Sequence, residues 1–368
     1  MINITKILID DNTIRSVTKV LKSGFIVQGK IVGKLEKELA YCNNTKYAVV
    51  VNSGTAALHT ALASAGITQG DEVITTAFSF VATVNAILMC GARPVFVDIN
   101  ETDYTINSSL IEKKITFKTK AILTADLYGQ PCNYKEIKKI AKKHNLIVIN
   151  DACQAIGSFY DLKPIGQVAD IACFSFYATK NIVMGEGGAL VTNNEDIYEY
   201  AKRFRQHGQD MEKPYVYHHI GYNYRSTDIA AAIGLSQLSY IKKWTKKRQE
   251  NAESLTEGLK KIRGIITPTY KPDRTHVFHQ YTIRVTNEFP ISRDKLQADL
   301  LTQGIKSGIY YPSILPSHSH IKKIVKYKKG MFPIAELAAN GVLSLPVHPH
   351  LTRGDIQKII RTIAMVLK

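Results

Sequence analysis

The chain has 368 residues, 45% hydrophobic and 21% charged, a composition ordinary for a soluble globular protein and long enough for one large core plus a smaller one. Its net charge of +17 raises nucleic-acid binding, but the lysines are dispersed along the whole chain. The two denser runs, Lys242-Lys243 with Lys246-Lys247-Arg248 and Lys322-Lys323 with Lys326 and Lys328-Lys329, each hold one aromatic, which is too few for a base-stacking platform. They read as solvated surface that helps attract an anionic small substrate.

At the start of the chain, Met1–Lys6 shows no charged n-region followed by an apolar run. No stretch approaches the ~20 apolar residues needed to cross a bilayer. A cytoplasmic location with no membrane contact is expected. From residue 46 to about 192, β-rich runs alternate with helical patterns. The predicted strands are Tyr47–Val51, Glu72–Thr75, Pro94–Val97, Ala121–Thr124, Leu146–Asn150, Ile171–Ser175 and Ala189–Thr192. Predicted helices between them include Thr55–Ala65, Val81–Met89 and Tyr134–His144. Such alternation implies βαβ units and a largely parallel sheet covered by helices on both faces. Ligands then bind beyond the carboxyl ends of the strands. One long helix is predicted over Ser226–Ile262, capped by Ser226-Thr227-Asp228 and closed by Gly264. A smaller α+β domain follows, with strand Tyr281–Val285 and a helix Arg353–Leu367. The division expected is 1–250 for a large domain with an N-terminal arm and 251–368 for a small one.

Three segments carry chemistry. Asn52–Leu58 lies between an apolar strand and an Ala/Leu helix, so it offers backbone N–H groups and a positive dipole end to a phosphate. A plain helix cap by Ser53 explains it equally. Asp151 directly follows a buried apolar strand, where a carboxylate needs a positive partner such as a protonated pyridine nitrogen. A structural cap is the other reading, and Gln154 can turn back to the same place. Lys180 follows the strand ending near Ser175, in a turn of apolar and small residues. Burial there favours the free amine that Schiff-base chemistry needs, whereas a surface loop would leave an ordinary lysine. The cysteines Cys42, Cys90, Cys132, Cys153 and Cys173 are scattered, odd in number and without CxxC spacing, so they read as reduced thiols. The histidines lack carboxylate or thiolate company at a ligand spacing, and no metal site is expected.

Taken together, a phosphate-type turn, a strand-end aspartate and a turn lysine occur in order along alternating strands. The chain resembles the DegT/DnrJ/EryC1/StrS family of pyridoxal-phosphate sugar aminotransferases. The matching runs include Asn52–Leu58, Gly70–Val73, Phe78–Thr83, Pro94–Asp98, Leu127–Pro131, Asp151–Gln154, Phe174–Asn181, Gly185–Gly188, Arg205–Gly208, Gly221–Arg225, Tyr310–Pro312 and Leu343–Pro346. The resemblance implies the aspartate-aminotransferase fold, fold type I of these enzymes, with pyridoxal 5'-phosphate as cofactor. It implies that Lys180 holds the cofactor and moves protons, that Asp151 pairs with the ring nitrogen, and that Gln154 contacts the ring hydroxyl side. Phe80 would stack on the ring, with core packing as the alternative. Gly54, Thr55 and Ser175 would hold the phosphate, joined by Asn223 from the neighbouring subunit of a homodimer. His207, Arg225 and Tyr311 would line the sugar-nucleotide pocket, although a structural ion pair is equally open for Arg225.

Three departures from the family pattern stand out: Asn150 where Glu is usual, Asp126 where many members have His, and Ser226 in place of a frequent Met. Relatives that deoxygenate sugars carry His at the lysine position, so Lys180 implies transamination rather than dehydration. The implied reaction moves an amino group from L-glutamate to a keto-deoxy nucleotide sugar, at C4 of a 4-keto-6-deoxyhexose, in amino-sugar or surface-glycan synthesis. Competing readings are a 3-keto-sugar aminotransferase, another fold type I enzyme acting on amino acids, a non-catalytic regulatory protein and, from charge alone, a nucleic-acid binder.

Overall fold

Strands that are apolar on both faces need cover on both sides, and helices supply it. The computed structural model describes residues 1–366. The chain begins with α1 (Asp11–Ser23), α2 (Lys30–Cys42), β1 (Tyr47–Val51), α3 (Gly54–Ser64), β2 (Glu72–Thr76) and α4 (Val81–Met89). It continues through β3 (Arg93–Val97), β4 (Thr119–Ala125), α5 (Tyr134–His144) and β5 (Ile147–Asp151). A short hairpin, β6 (Phe159–Tyr160) with β7 (Lys163–Pro164), precedes β8 (Ile171–Ser175) and β9 (Gly188–Thr192). Then come α6 (Glu195–Arg205), α7 (Asp228–Leu238), α8 (Ile241–Leu259), β10 (Ile265–Ile266), β11 (Tyr281–Val285) and α9 (Arg293–Thr302). The last elements are α10 (Ser319–Val325), α11 (Pro333–Gly341), β12 (Val342–Leu345) and α12 (Arg353–Met365).

The large sheet has the order β1-β9-β8-β5-β4-β2-β3. Neighbours pair in parallel except at β9, which runs antiparallel to both β1 and β8. The α/β class and mostly parallel sheet expected from sequence are therefore present, with strand ends displaced by at most two residues. Side-chain alternation sorts the strands onto two cores. Val50, Ile122 and Phe174 pack with Leu35 and Leu39 of α2 on one face. Val49, Leu123, Ile149 and Cys173 pack with Ala57, Leu58 and Ala61 of α3 on the other.

A second, antiparallel sheet, β10-β11-β12, carries its own core with Leu255, Leu259, Leu296, Leu300 and Ile359. Residue 250 falls inside α8, whose later residues Ala252, Leu255 and Leu259 join this second core. So does Ile2, which donates its N–H to Gly304 O at 2.7 Å. Among the described residues no helix is long and apolar enough to cross a membrane.

One expectation needs correction. The predicted Ser226–Ile262 helix is two helices, α7 and α8, broken at Ser239-Tyr240. Ser239 Oγ turns back to Ser236 O at 2.7 Å, and the Tyr240 hydroxyl is held by Asp10 Oδ2 at 2.5 Å. This tertiary anchor bends a stretch whose residues would all tolerate continuous helix. α8 also stops at Leu259 instead of Ile262, and Gly264, with φ of 82°, turns the chain into β10. The final predicted residue of the C-terminal helix, Leu367, lies outside the described residues.

Candidate active site

The carboxyl ends of the parallel strands open on a cavity of about 360 Å³, within the range of small-molecule sites. Ser53, Gly54, Thr55, Phe80, Asp151, Gln154, Ser175, Lys180 and Tyr311 all line it. α3 starts here because Ser53 caps it, its Oγ accepting from Ala56 N–H at 3.1 Å. The backbone ladder begins with Ala57 N–H donating to Ser53 O at 3.0 Å, so the N–H groups of Gly54 and Thr55 lie ahead of it. Gly54 is required by close approach: a Cβ there would come within 2.7 Å of Ser175 Cβ. The cap reading and the anion reading of this turn are thus compatible, since Ser53 caps while the first-turn N–H groups stay available.

Asp151 ends β5, is 8% exposed and enters no ion pair among the described residues. Its Oδ2 accepts from Thr83 Oγ1 at 2.7 Å, and its Oδ1 from Cys153 N–H at 3.2 Å. A buried carboxylate held only by neutral donors retains capacity for a cationic partner. Lys180 sits in the turn after β8, where its N–H donates to Tyr177 O at 2.8 Å. Burial drives its ammonium below the usual lysine range, against the opposing pull of Cys153 and Asp151. The free amine is therefore more accessible than on a surface lysine. Phe80 is half exposed and tilts against Tyr311, with ring centroids 5.9 Å apart, so it is a cavity wall and not core packing. Gln154 accepts from Tyr128 N–H at 2.8 Å and donates to the Tyr311 hydroxyl at 3.3 Å, which fixes its amide at the cavity.

Asn223, His207 and Arg225 do not line this cavity in the single chain. Asn223 is exposed and its carbonyl accepts from Asn52 Nδ2 at 3.3 Å, which puts the segment next to the phosphate-type turn but outside the cavity. His207 is exposed, and Arg225, partly buried, forms no ion pair among the described residues of the single chain. The two departures at Asn150 and Asp126 touch each other. Asn150 Nδ2 donates to Asp126 Oδ2 at 2.9 Å, while Asp126 Oδ1 accepts from Cys132 N–H at 2.8 Å and Tyr134 Oη at 2.9 Å. Both Asp126 carboxylate oxygens are thus occupied by neighbouring donors, and the residue itself borders the cavity.

Sequence reasoning passed over Thr83, His279, Tyr310 and Arg248. Thr83 faces Asp151 from the first turn of α4, behind Phe80 in the same run. Arg248 requires a correction: it belongs to a run read as solvated, yet it is 5% exposed and lines the cavity. Trp244, Arg248, Asn251, Ala252, Leu255 and Leu259 are buried along α8 at three- to four-residue spacing. That periodicity was the available signal.

A half-buried amine, a strand-end carboxylate lacking a cation and a helix start with available N–H groups fit pyridoxal phosphate: attachment point, ring-nitrogen partner and phosphate cup. On this sheet they define a pyridoxal-phosphate enzyme of the aspartate-aminotransferase fold. The model of the DegT/DnrJ/EryC1/StrS aminotransferase family matches residues 8–364. The pleiotropic regulatory protein of Geobacillus stearothermophilus is 41% identical over 95% of this chain and 93% of that one. The UDP-2-acetamido-2-deoxy-3-oxo-D-glucuronate aminotransferase of Pseudomonas aeruginosa is 35% identical over 95% of each. The structure of Helicobacter pylori PseC, an aminotransferase involved in the biosynthesis of pseudoaminic acid, matches with a TM-score of 0.93 and 31% identity. That match covers 99% of this chain and 98% of PseC. The chain belongs to the DegT/DnrJ/EryC1/StrS aminotransferase family, and it is a pyridoxal-phosphate-dependent sugar aminotransferase.

Proposed function

We propose that the enzyme transfers an amino group from L-glutamate to the ketone of a nucleotide-linked deoxysugar, at C4 of a 4-keto-6-deoxyhexose. The observation that carries the reading is the meeting of Lys180, its ammonium destabilised by burial, with Asp151 and the Gly54–Thr55 turn around one cavity. Bound pyridoxal phosphate supplies the electron sink that makes the donor's α-hydrogen acidic. The chain's part is positional. Asp151, oriented by Thr83 and the Cys153 N–H, keeps a negative charge at the ring-nitrogen end. Gly54, Thr55 and Ser175 would hold the phosphate, and Phe80, a wall of the same cavity, would pack against the ring. The Lys180 amine takes the proton from the donor's α-carbon and returns it on the other side of the transfer, then serves the keto sugar in reverse.

The assembly proposed is a homodimer in which Asn223, His207 and Arg225 serve the partner's cavity. In support, these residues lie on or next to a segment that exposes Tyr215 and Ile220, more than four-fifths accessible each. Large apolar side chains exposed in that number suit an interface. Tyr311 would meet the sugar from within the same chain. The division at residue 250 is proposed as the boundary between the cofactor-binding part and the small sheet.

Amination of a 3-keto sugar is the second reading, favoured by the 3-oxo substrate in the Pseudomonas relative's name. Incubation with L-glutamate and matched 4-keto and 3-keto nucleotide sugars, with the amine position read by NMR, decides between them. Product only from the 3-keto isomer overturns the C4 assignment, and activity with free α-keto acids alone overturns the sugar reading.

A further inference from the structure

A buried guanidinium without a carboxylate is an expensive thing for a fold to keep. Arg248 is one: 5% exposed, with Nη1 donating to Phe278 O at 3.1 Å, its Nε unpartnered, and no ion pair among the described residues. His279, 9% exposed, follows that same Phe278, and its Nδ1 is also buried without a partner. Both side chains line the cavity beside Lys180. We infer that Arg248 and His279 form the subsite for a carboxylate of the amino donor, on the Lys180 side of the cavity.

The chemistry of transfer favours this occupant over the sugar's pyrophosphate. The donor's α-carbon must reach Lys180, so its carboxylate travels only a bond or a short chain beyond the reacting centre. A guanidinium on the same wall can take a carboxylate through two parallel hydrogen bonds, which a lysine in its place could not do as well. The charge states agree with the task. Burial lowers Arg248 to about 10, so it stays cationic at neutral pH. His279 is held well below the usual imidazole range by burial, and further by the positive charges of Lys180 and Arg248. It is therefore neutral and supplies one N–H donor without competing for the carboxylate's charge. Ile4 and Thr5 of the N-terminal segment line the same cavity. The inference rests on the aminotransferase reading above and adds to it a binding site for the donor.

The test uses the purified holoenzyme and glutarate, a dicarboxylate without an amine, titrated calorimetrically. Arg248→Gln should weaken glutarate binding by roughly ten- to hundredfold, the loss of a charge-assisted pair. Arg248→Lys should recover part of that loss, and His279→Gln should weaken binding severalfold. The L-glutamate half-reaction, followed by the cofactor's absorbance without any sugar, should show the same order in half-saturating concentration, with a smaller change in limiting rate. Unchanged glutarate affinity in a folded Arg248→Gln protein overturns the inference. If that variant does not fold, unchanged affinity in both Arg248→Lys and His279→Gln overturns it instead. Failure of the parent reading looks different: glutarate would bind through Arg248, yet no keto sugar would accept the amine.

Discussion

Replacing Asp126 by asparagine should stabilise the protein above pH 6 and leave it nearly unchanged at pH 4. Asp126 is fully buried, and burial raises its carboxyl from 3.8 to about 6, against the pull of hydrogen bonds from Cys132, Asn150 and Tyr134. The folded state thus binds the proton more tightly than the unfolded chain, so stability falls as pH rises through the window from 3.8 to about 6. A rise from 3.8 to about 6 corresponds to about 3 kcal/mol, fully felt above the folded-state value and absent below the unfolded one. Asparagine keeps the shape. Its oxygen can accept from Cys132 N–H and the Tyr134 hydroxyl, while its amide donates to the oxygen of a rotated Asn150. For 368 residues, an unfolding entropy of roughly 2.1 cal/mol/K per residue converts 3 kcal/mol to about 4 °C. The assay is the difference in thermal midpoint between variant and parent at pH 4, 5, 6, 7 and 8, at fixed protein and saturating cofactor. Other carboxylates titrate in both proteins and cancel. Parallel profiles for the two proteins, or a variant less stable at every pH, would refute the reasoning.

Lys180→Ala should lose the borohydride-reducible cofactor band and roughly 10²- to 10⁴-fold or more of turnover, with the far-UV circular dichroism of the parent. Asp151→Asn should still bind cofactor yet turn over roughly ten- to hundredfold more slowly, read in the glutamate half-reaction. Mixing Asn223→Ala with Lys180→Ala protein should restore part of the activity, because one site of the mixed dimer then carries both lesions and the other none. No recovery despite demonstrated subunit exchange would sink the shared site. Arg225→Ala should raise the apparent KM for the nucleotide sugar far more than that for L-glutamate, and an equal rise in both would remove Arg225 from the sugar side.

Much of the site was legible because strand-end chemistry is local in sequence. Asp151 and Ser175 end apolar strands, and Gly54 opens a helix directly after one, so the sheet's own geometry carries them to a common edge. What escaped reading depends on contacts between distant segments. The break at Ser239-Tyr240 is set by Asp10, more than two hundred residues earlier, and no propensity within 226–262 records it. Gln154 lines the cavity, but its hydrogen-bond partners there, Tyr128 and Tyr311, lie on segments 26 and 157 residues away in sequence. Asn223, His207 and Arg225 match motif positions, yet none of them lines the cavity of the single chain, so the roles proposed for them would require a second copy. Arg248 shows most clearly how composition can mislead. Its neighbours Lys246 and Lys247 make the run look uniformly solvated, but helix geometry places Arg248 one turn from Trp244 on the buried face. A charge run on a helix is several faces at once. The residue in it that shares a stripe with tryptophan and leucine is the one to expect at a site, because only there does a fixed positive charge meet a ligand out of water.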